Sequence, residues 1–161
     1  MSVYISKNAE LFYKALEDLW VAEQSWFASP NIAVWSCTQA VEKTLKGFLR
    51  CFNKDFDHGH QLRFLLDDVE SIFPVTPEVK KYILFLDDYG VSLRYKNMTT
   101  DPSPEESRIA IARVKYIMHE FSKNDTISEF MNEANEVRTK ILKASYEKYS
   151  DVDISTDKPD N

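Results

Sequence analysis

Glycine is scarce in this chain. Gly47, Gly59 and Gly90 are the three among 161 residues, well below the average usage of about 7%. Tight hairpins, left-handed turns and phosphate-cradling loops all lean on glycine. Its scarcity argues against a hairpin-rich β protein, a dinucleotide-binding βαβ unit and a P-loop. Cysteine is nearly missing too. Cys37 and Cys51 fall in one helical stretch, where their separation spans about 21 Å, too far for a disulfide between them. Reduced, buried thiols are expected. No run approaches 18 uninterrupted apolar residues, and the start MSVYISKNAE has no basic segment leading into an apolar one, so neither a membrane span nor a secretion signal is expected. The expected location is the cytoplasm.

Positive charge is also short. Twenty Lys and Arg stand against 26 Asp and Glu, a net charge of −6, which disfavours coating of a phosphodiester backbone by the whole surface. Residues 125–161 hold nine acids and five bases, leaving a net −2 for residues 1–124, so a local basic site in that longer portion is compatible with the balance. The chain contains no GxGxxG, Walker loop, HExxH, GxSxG or CxxC, and His58, His60 and His119 are the few imidazoles on which a Ser-His-Asp or Cys-His arrangement could draw. No cofactor is called for.

What the sequence does have is helical periodicity punctuated by proline. The length points to one domain with a core sufficient to fold without staples. Ser29-Pro30, Thr76-Pro77 and Ser103-Pro104 each pair a hydroxyl N-cap with proline at the first helical position, where its missing N–H costs nothing. Ser103 to Glu106 and Thr126 to Glu129 both fit capping boxes. The spacing predicts helices over about Asn8–Phe27 and Pro30–Phe52 as a long antiparallel pair, a third carrying Leu62, Leu65, Leu66, Val69 and Ile72, and a fourth with Val79, Ile83, Leu86 and Leu93. A fifth helix, about Pro104–Ser122, presents Ile109, Ala112, Tyr116, Ile117 and Phe121. A sixth, about Thr126–Tyr149, repeats Ile127, Phe130, Ala134, Val137, Ile141 and Ala144 in a narrow stripe suited to one partner helix. The expected organisation is a bundle over 1–124, an added helix over 125–149 packing on the bundle or on a partner, and a disordered acidic tail over 150–161.

Three polar features stand out. Between the second and third helices, Asp55, Asp57, His58 and His60 are residue types that bind divalent metals, but their spacing matches no recognised zinc pattern, and a polar inter-helix loop accounts for the same letters. His60 lies at the mouth of the third helix, whose first amides favour anions. Arg94-Tyr95 ends the fourth helix; a guanidinium beside a ring can pair with phosphate while the ring stacks on a base, or can simply complement the helix terminus and cover core. Gln39, Glu42, Lys43, Lys46 and Arg50 form a band on the second helix, with Glu42 and Lys46 at the favourable i,i+4 spacing; periodicity alone makes this a solvated face. Asp67-Asp68 and Asp87-Asp88 read as surface charge.

Taken together, Gln39-Ala40-Val41-Glu42-Lys43, Leu45-Lys46-Gly47 and Leu49, then His60-Gln61-Leu62 with Leu65-Leu66, then Arg94-Tyr95, resemble the HEPN domain family (higher eukaryotes and prokaryotes nucleotide-binding). The resemblance covers about residues 8–122. It implies an all-α up-and-down bundle of four to five core helices, here with the C-terminal helix added, and a homodimer. It also implies nucleotide or RNA binding, since many members are RNases of toxin–antitoxin systems paired with a small nucleotidyltransferase. On that reading Lys43, Lys46, His60, Arg94 and Tyr95 line the ligand site, with His60 and Arg94 the candidates for a catalytic role and no metal. The alternative is a non-catalytic dimeric interaction module. The RNase members carry Arg followed after four to six residues by His; counted from Arg94, those positions are Thr99, Thr100 and Asp101. Arg113 and His119 meet the spacing formally, but Val114 replaces the usual polar neighbour and the six-residue offset turns them about 240° apart on a helix.

Overall fold

The computed structural model describes residues 3–56, 59–95 and 101–150, with residues 91–95 described by their backbone alone. Six helices follow one another: α1 (Glu10–Ser25), α2 (Pro30–Cys51), α3 (Leu62–Glu70), α4 (Pro77–Tyr95), α5 (Pro104–Ser122) and α6 (Asp125–Tyr149), with no strand among the described residues. The chain is thus the all-α bundle that the periodicity and proline punctuation predict. No helix among the described residues is long and apolar enough to cross a membrane.

α2 is the axis of the bundle, because 13 of its 22 residues are buried and it packs against every other helix, most extensively α1. Close approach to α1 is made at Gly47, where a Cβ would sit 2.9 Å from Cε1 of the buried Phe12 ring; glycine leaves room for that ring against the α2 backbone. Phe48, fully buried, gathers Phe52, Phe73 and Phe121 around it with ring centroids 4.8, 5.4 and 5.3 Å away, tying the far end of α2 to the α3–α4 connection and to α5. Because glycine is scarce, α2 ends on Asn53 in the left-handed region at φ 51°. Lys54 N–H donates to Leu49 C=O at 2.9 Å and Asn53 N–H to Arg50 C=O at 3.1 Å, a Schellman closure with asparagine in glycine's place.

Helix starts follow the grammar in two cases of four. Ser103 and Glu106 form a full reciprocal capping box ahead of Pro104, and Thr76 Oγ1 accepts from Val79 N–H at 3.4 Å. Ser29 makes no side-chain cap bond; its backbone, at φ −145° and ψ 69°, is off the extended conformation in which a cap side chain meets the first-turn amides. The Thr126 capping box is also corrected. α6 starts one residue earlier, with Asn124 as N-cap accepting from Ile127 N–H at 3.2 Å, so Thr126 is already inside the helix.

The buried face of α5 differs from expectation as well. Ala110, Ile111, Val114, Ile117, Met118 and Phe121 face the core, whereas Ile109 is 43% exposed and Ala112 is exposed. α5 carries apolar residues nearly all round, so periodicity leaves its phase open. Fully buried Ser107 sits at the contact with the end of α1, its hydroxyl shared between the Trp26 carbonyl at 2.9 Å and the Pro104 carbonyl of its own helix at 2.8 Å. α6 buries Ile127, Ala134 and Val137, packing on α1 and more lightly on α5. Glu133 fastens it, accepting from Ser6 N–H at 2.6 Å and from Ser6 Oγ–H at 2.7 Å. Its last two turns stand exposed, and residues 151–161, the predicted tail, lie outside the described residues.

Candidate functional site

The band on α2 is not a solvated face. Glu42, at its centre, is 5% exposed, because α3 and α4 close over that side of α2. Helical spacing puts Gln39 and Lys46 on the same face, and both reach the carboxylate: Lys46 Nζ donates to Oε1 at 2.7 Å, and Gln39 Nε2 approaches Oε2 at 3.5 Å. From the strand of loop before α3, His60 Nδ1 meets Oε1 and Oε2 at 3.2 and 3.3 Å. A carboxylate accepts and does not donate, so Nδ1 carries the proton in this bond and Nε2 is left as the acceptor, on a side chain 59% exposed. A buried carboxylate thus orients an imidazole that faces outward, the arrangement by which the ring of a histidine is held in one orientation.

A second buried carboxylate shapes the same junction. Asp87, on α4, is 3% exposed; its Oδ1 accepts from Leu62 N–H at 2.8 Å and its Oδ2 from Arg63 Nε–H at 2.6 Å. Gln61 supplies no side-chain cap to α3, so Asp87 caps that helix from across the bundle. This corrects the reading of Asp87-Asp88 as surface charge for Asp87; Asp88 is exposed and takes the other arm of Arg63 at 2.9 Å. The space enclosed between Gln39, Glu42, His60 and Asp87 is about 10 Å³, no more than one water needs. Any larger ligand must lie over His60 on the surface, not inside the junction.

The other sequence-predicted residues divide. Lys43 points along a different face of α2 and pairs with Asp18 of α1, away from His60. Burial pushes the Asp18 carboxyl up, against the opposing pull of the Lys43 bond and charge. Lys46, 11% exposed in its side chain, has its ammonium committed to Glu42 and lies 5.9 Å from the Phe56 ring centroid. Arg94 and Tyr95 are in the last turn of α4, and their side chains lie outside the described residues. Arg94 is seven positions after Asp87, two turns on along the same helix face. Asp57 and His58 also lie outside the described residues; among the described ones no group of three or more His, Cys, Asp and Glu is gathered as a metal site. Arg113 stacks on Phe85 of α4, while His119 is exposed near the end of α5, and no hydrogen bond joins them.

The features that sequence reasoning missed are the burial of Glu42 and the cap by Asp87. The first had a signal in the Glu42–Lys46 spacing together with a histidine just ahead of the next helix; the second had none, since nothing local tells which member of an Asp-Asp pair turns inward. Compared with known proteins, the chain matches a family model described as HEPN domain over residues 8–124. No curated protein and no solved structure matches it.

Proposed function

The chain belongs to the HEPN domain family, and from that premise we propose that it binds a nucleotide or an RNA end at the surface where α2, α3 and α4 meet, over His60. Membership supports a nucleotide- or RNA-binding helical domain in general. The observation that carries the proposed location is the Glu42–His60 pair: a 5% exposed carboxylate holding an outward imidazole by Nδ1 at 3.2 Å. His60 Nε2 accepts a hydrogen bond from the ligand or carries a proton for it. Arg94 neutralises phosphate and Tyr95 stacks on a base. Lys46 adds positive charge at its edge by exchanging Glu42 for the phosphate, whereas Lys43, held by Asp18 on another face of α2, takes no part.

Titration of the full chain with nucleoside phosphates tests this. Saturable binding that weakens in Arg94→Ala and His60→Ala, with melting unchanged, is expected. No binding at millimolar nucleotide overturns it.

HEPN domains commonly dimerise, and a homodimer is part of the proposal, as are a cytoplasmic location and a nucleotidyltransferase partner in a toxin–antitoxin-type system. One observation favours a second reading, a non-catalytic dimeric interaction module: Thr99, Thr100 and Asp101 occupy the positions where a histidine would follow Arg94. Growth arrest on expression together with RNA cleavage by the purified protein rules that module out. Tight association with a partner protein, with neither nucleotide binding nor cleavage, favours it.

A further inference from the structure

Another face of α4 lines an open surface groove of about 500 Å³, to which α5 contributes Arg113. That volume lies within the range of small-molecule sites, which are mostly apolar with a few convergent polar groups. Its charge runs against that of the molecule. Lys80, Lys81 and Arg113 line it against the single acid Asp88, in a chain of net charge −6. Asp88 is bridged by Arg63 at 2.9 Å and Lys80 by Glu70 at 2.8 Å. Lys81 and Arg113 form no ion pair with any described residue.

Arg113 is held by rings instead of by acids. Its guanidinium carbon lies 4.2 Å from the Phe85 ring centroid and 5.1 Å from that of Tyr82. Tyr82 is in turn braced: its ring meets Tyr116 edge-on at 5.6 Å, and both hydroxyls donate to Glu78, at 2.8 and 3.0 Å. The Glu78 carboxylate next to the cleft is thereby occupied. Arg113 Nη1 is shut off from water and has no hydrogen-bond partner. A buried donor on a charged group is rarely left without an acceptor; here the two ring faces stand in for one, and no acid of the groove neutralises the guanidinium. A guanidinium can stack on a ring with its face and grip an oxyanion with its edge at the same time, which an ammonium cannot. Phe85, 40% exposed, offers an apolar surface beside that edge.

We propose that the α4–α5 cleft binds a small amphipathic anion. Its carboxylate or phosphate group pairs with Arg113 and Lys81, and its aromatic or aliphatic body lies against Phe85 and Leu84. The site is distinct from the one over His60: Asp87 borders that one and Asp88 this one, with Arg63 touching both carboxylates.

Calorimetric titration of the full chain with 1-naphthoate, 1-naphthyl phosphate and inorganic phosphate tests the proposal. The two naphthyl anions are expected to bind saturably at one site per chain, and inorganic phosphate about tenfold or more weaker, because it lacks the apolar body. The tighter of the two naphthyl anions tells which head group the site takes; either result supports the proposal. Arg113→Lys keeps the charge and removes the planar fork, and is expected to weaken binding about tenfold. Lys81→Glu, at an exposed position, is expected to weaken it by a similar factor and carries the test if Arg113→Lys fails to fold. Naphthyl anions binding no more tightly than phosphate, or binding equally well to both variants, overturns the proposal. So does a dimer that Phe85→Ser dissociates in a chain that binds neither naphthyl anion, since the face is then an interface between copies.

Discussion

Replacing Asp87 tests whether one buried carboxylate sets the start of α3. Asp87→Ala removes the acceptor of Leu62 N–H, 2.8 Å away, and no side chain of α3's own N-cap can take over. A hydrogen bond to a charged acceptor contributes about 1.5–3 kcal/mol, and loss of a helix N-cap costs about 0.5–2 kcal/mol. The two describe the same bond, so the expected cost is about 2 kcal/mol. The Arg63 contact adds little, because its side chain is 48% exposed and water replaces the lost partner. For a chain of this size that corresponds to a fall in Tm of about 4–8 °C. Asp87→Asn keeps an oxygen for Leu62 and should cost about half as much. Asp88→Ala is the control: its side chain is 75% exposed, and the change should stay within about 0.5 kcal/mol. Urea unfolding followed by circular dichroism gives the three values, and amide exchange should show the Leu62 N–H losing protection in Asp87→Ala before the rest of the bundle. A cost below about 0.5 kcal/mol for Asp87→Ala, or an equal cost for Asp88→Ala, refutes the cap.

Glu133→Gln should loosen α6 without unfolding the bundle: one oxygen is exchanged for a donor facing Ser6, and hydrogen exchange over residues 125–149 should rise while α2 amides stay protected. Glu78 titrates below the usual carboxylate range because the Tyr82 and Tyr116 hydroxyls donate to it. Its contribution to stability is therefore present above its unfolded pKa and lost as pH falls through the lower folded value; Tyr116→Phe should move its NMR titration midpoint upward, and an unmoved midpoint contradicts the assignment. Burial pushes the Cys37 thiol up to about 12 and the Cys51 thiol up to about 11, so at pH 8 both are thiols and both should react with an aromatic disulfide reagent far more slowly in the folded chain than in urea. Rapid labelling of native Cys37 would mean that α2 opens locally.

The fold was legible because its signals are local. Ser-Pro and Thr-Pro pairs and the spacing of Leu62, Leu65, Leu66 and Val69 need no knowledge of partners, and they recover six helices to within a few residues. Legibility stops where a distant element decides. The phase of α5 is settled by what it packs against, among it the end of α1, where Ser107 meets Trp26, 81 positions earlier. Glu42 counts as polar in any periodicity, yet it is buried because Lys46 and His60 satisfy it. The same limit applies to Lys43, which its neighbours' company assigned to the ligand site and which Asp18 of α1 holds elsewhere. The residues of the resemblance were visible in order and spacing; which of them share a surface was not.

Glycine scarcity has a consequence for how this chain could meet a phosphate. A helix start that receives an anion normally does so with free first-turn amides in a glycine-rich loop. Here the turn out of α2 is made by Asn53, and the first amide of α3 is already bonded to Asp87, so much of that terminus's attraction for an anion is used inside the fold. The notion that the mouth of α3 itself would cradle a phosphate therefore weakens, although His60 stands there. On the two proposals recognition comes from side chains: in one place the imidazole held by Glu42 with Lys46 and Arg94, in the other the guanidinium of Arg113. Both sites draw charge from a surface that is acidic as a whole. Their affinity for anions should accordingly fall with added salt by no more than the few contacts they make, not with the steep dependence of a protein that coats a nucleic acid.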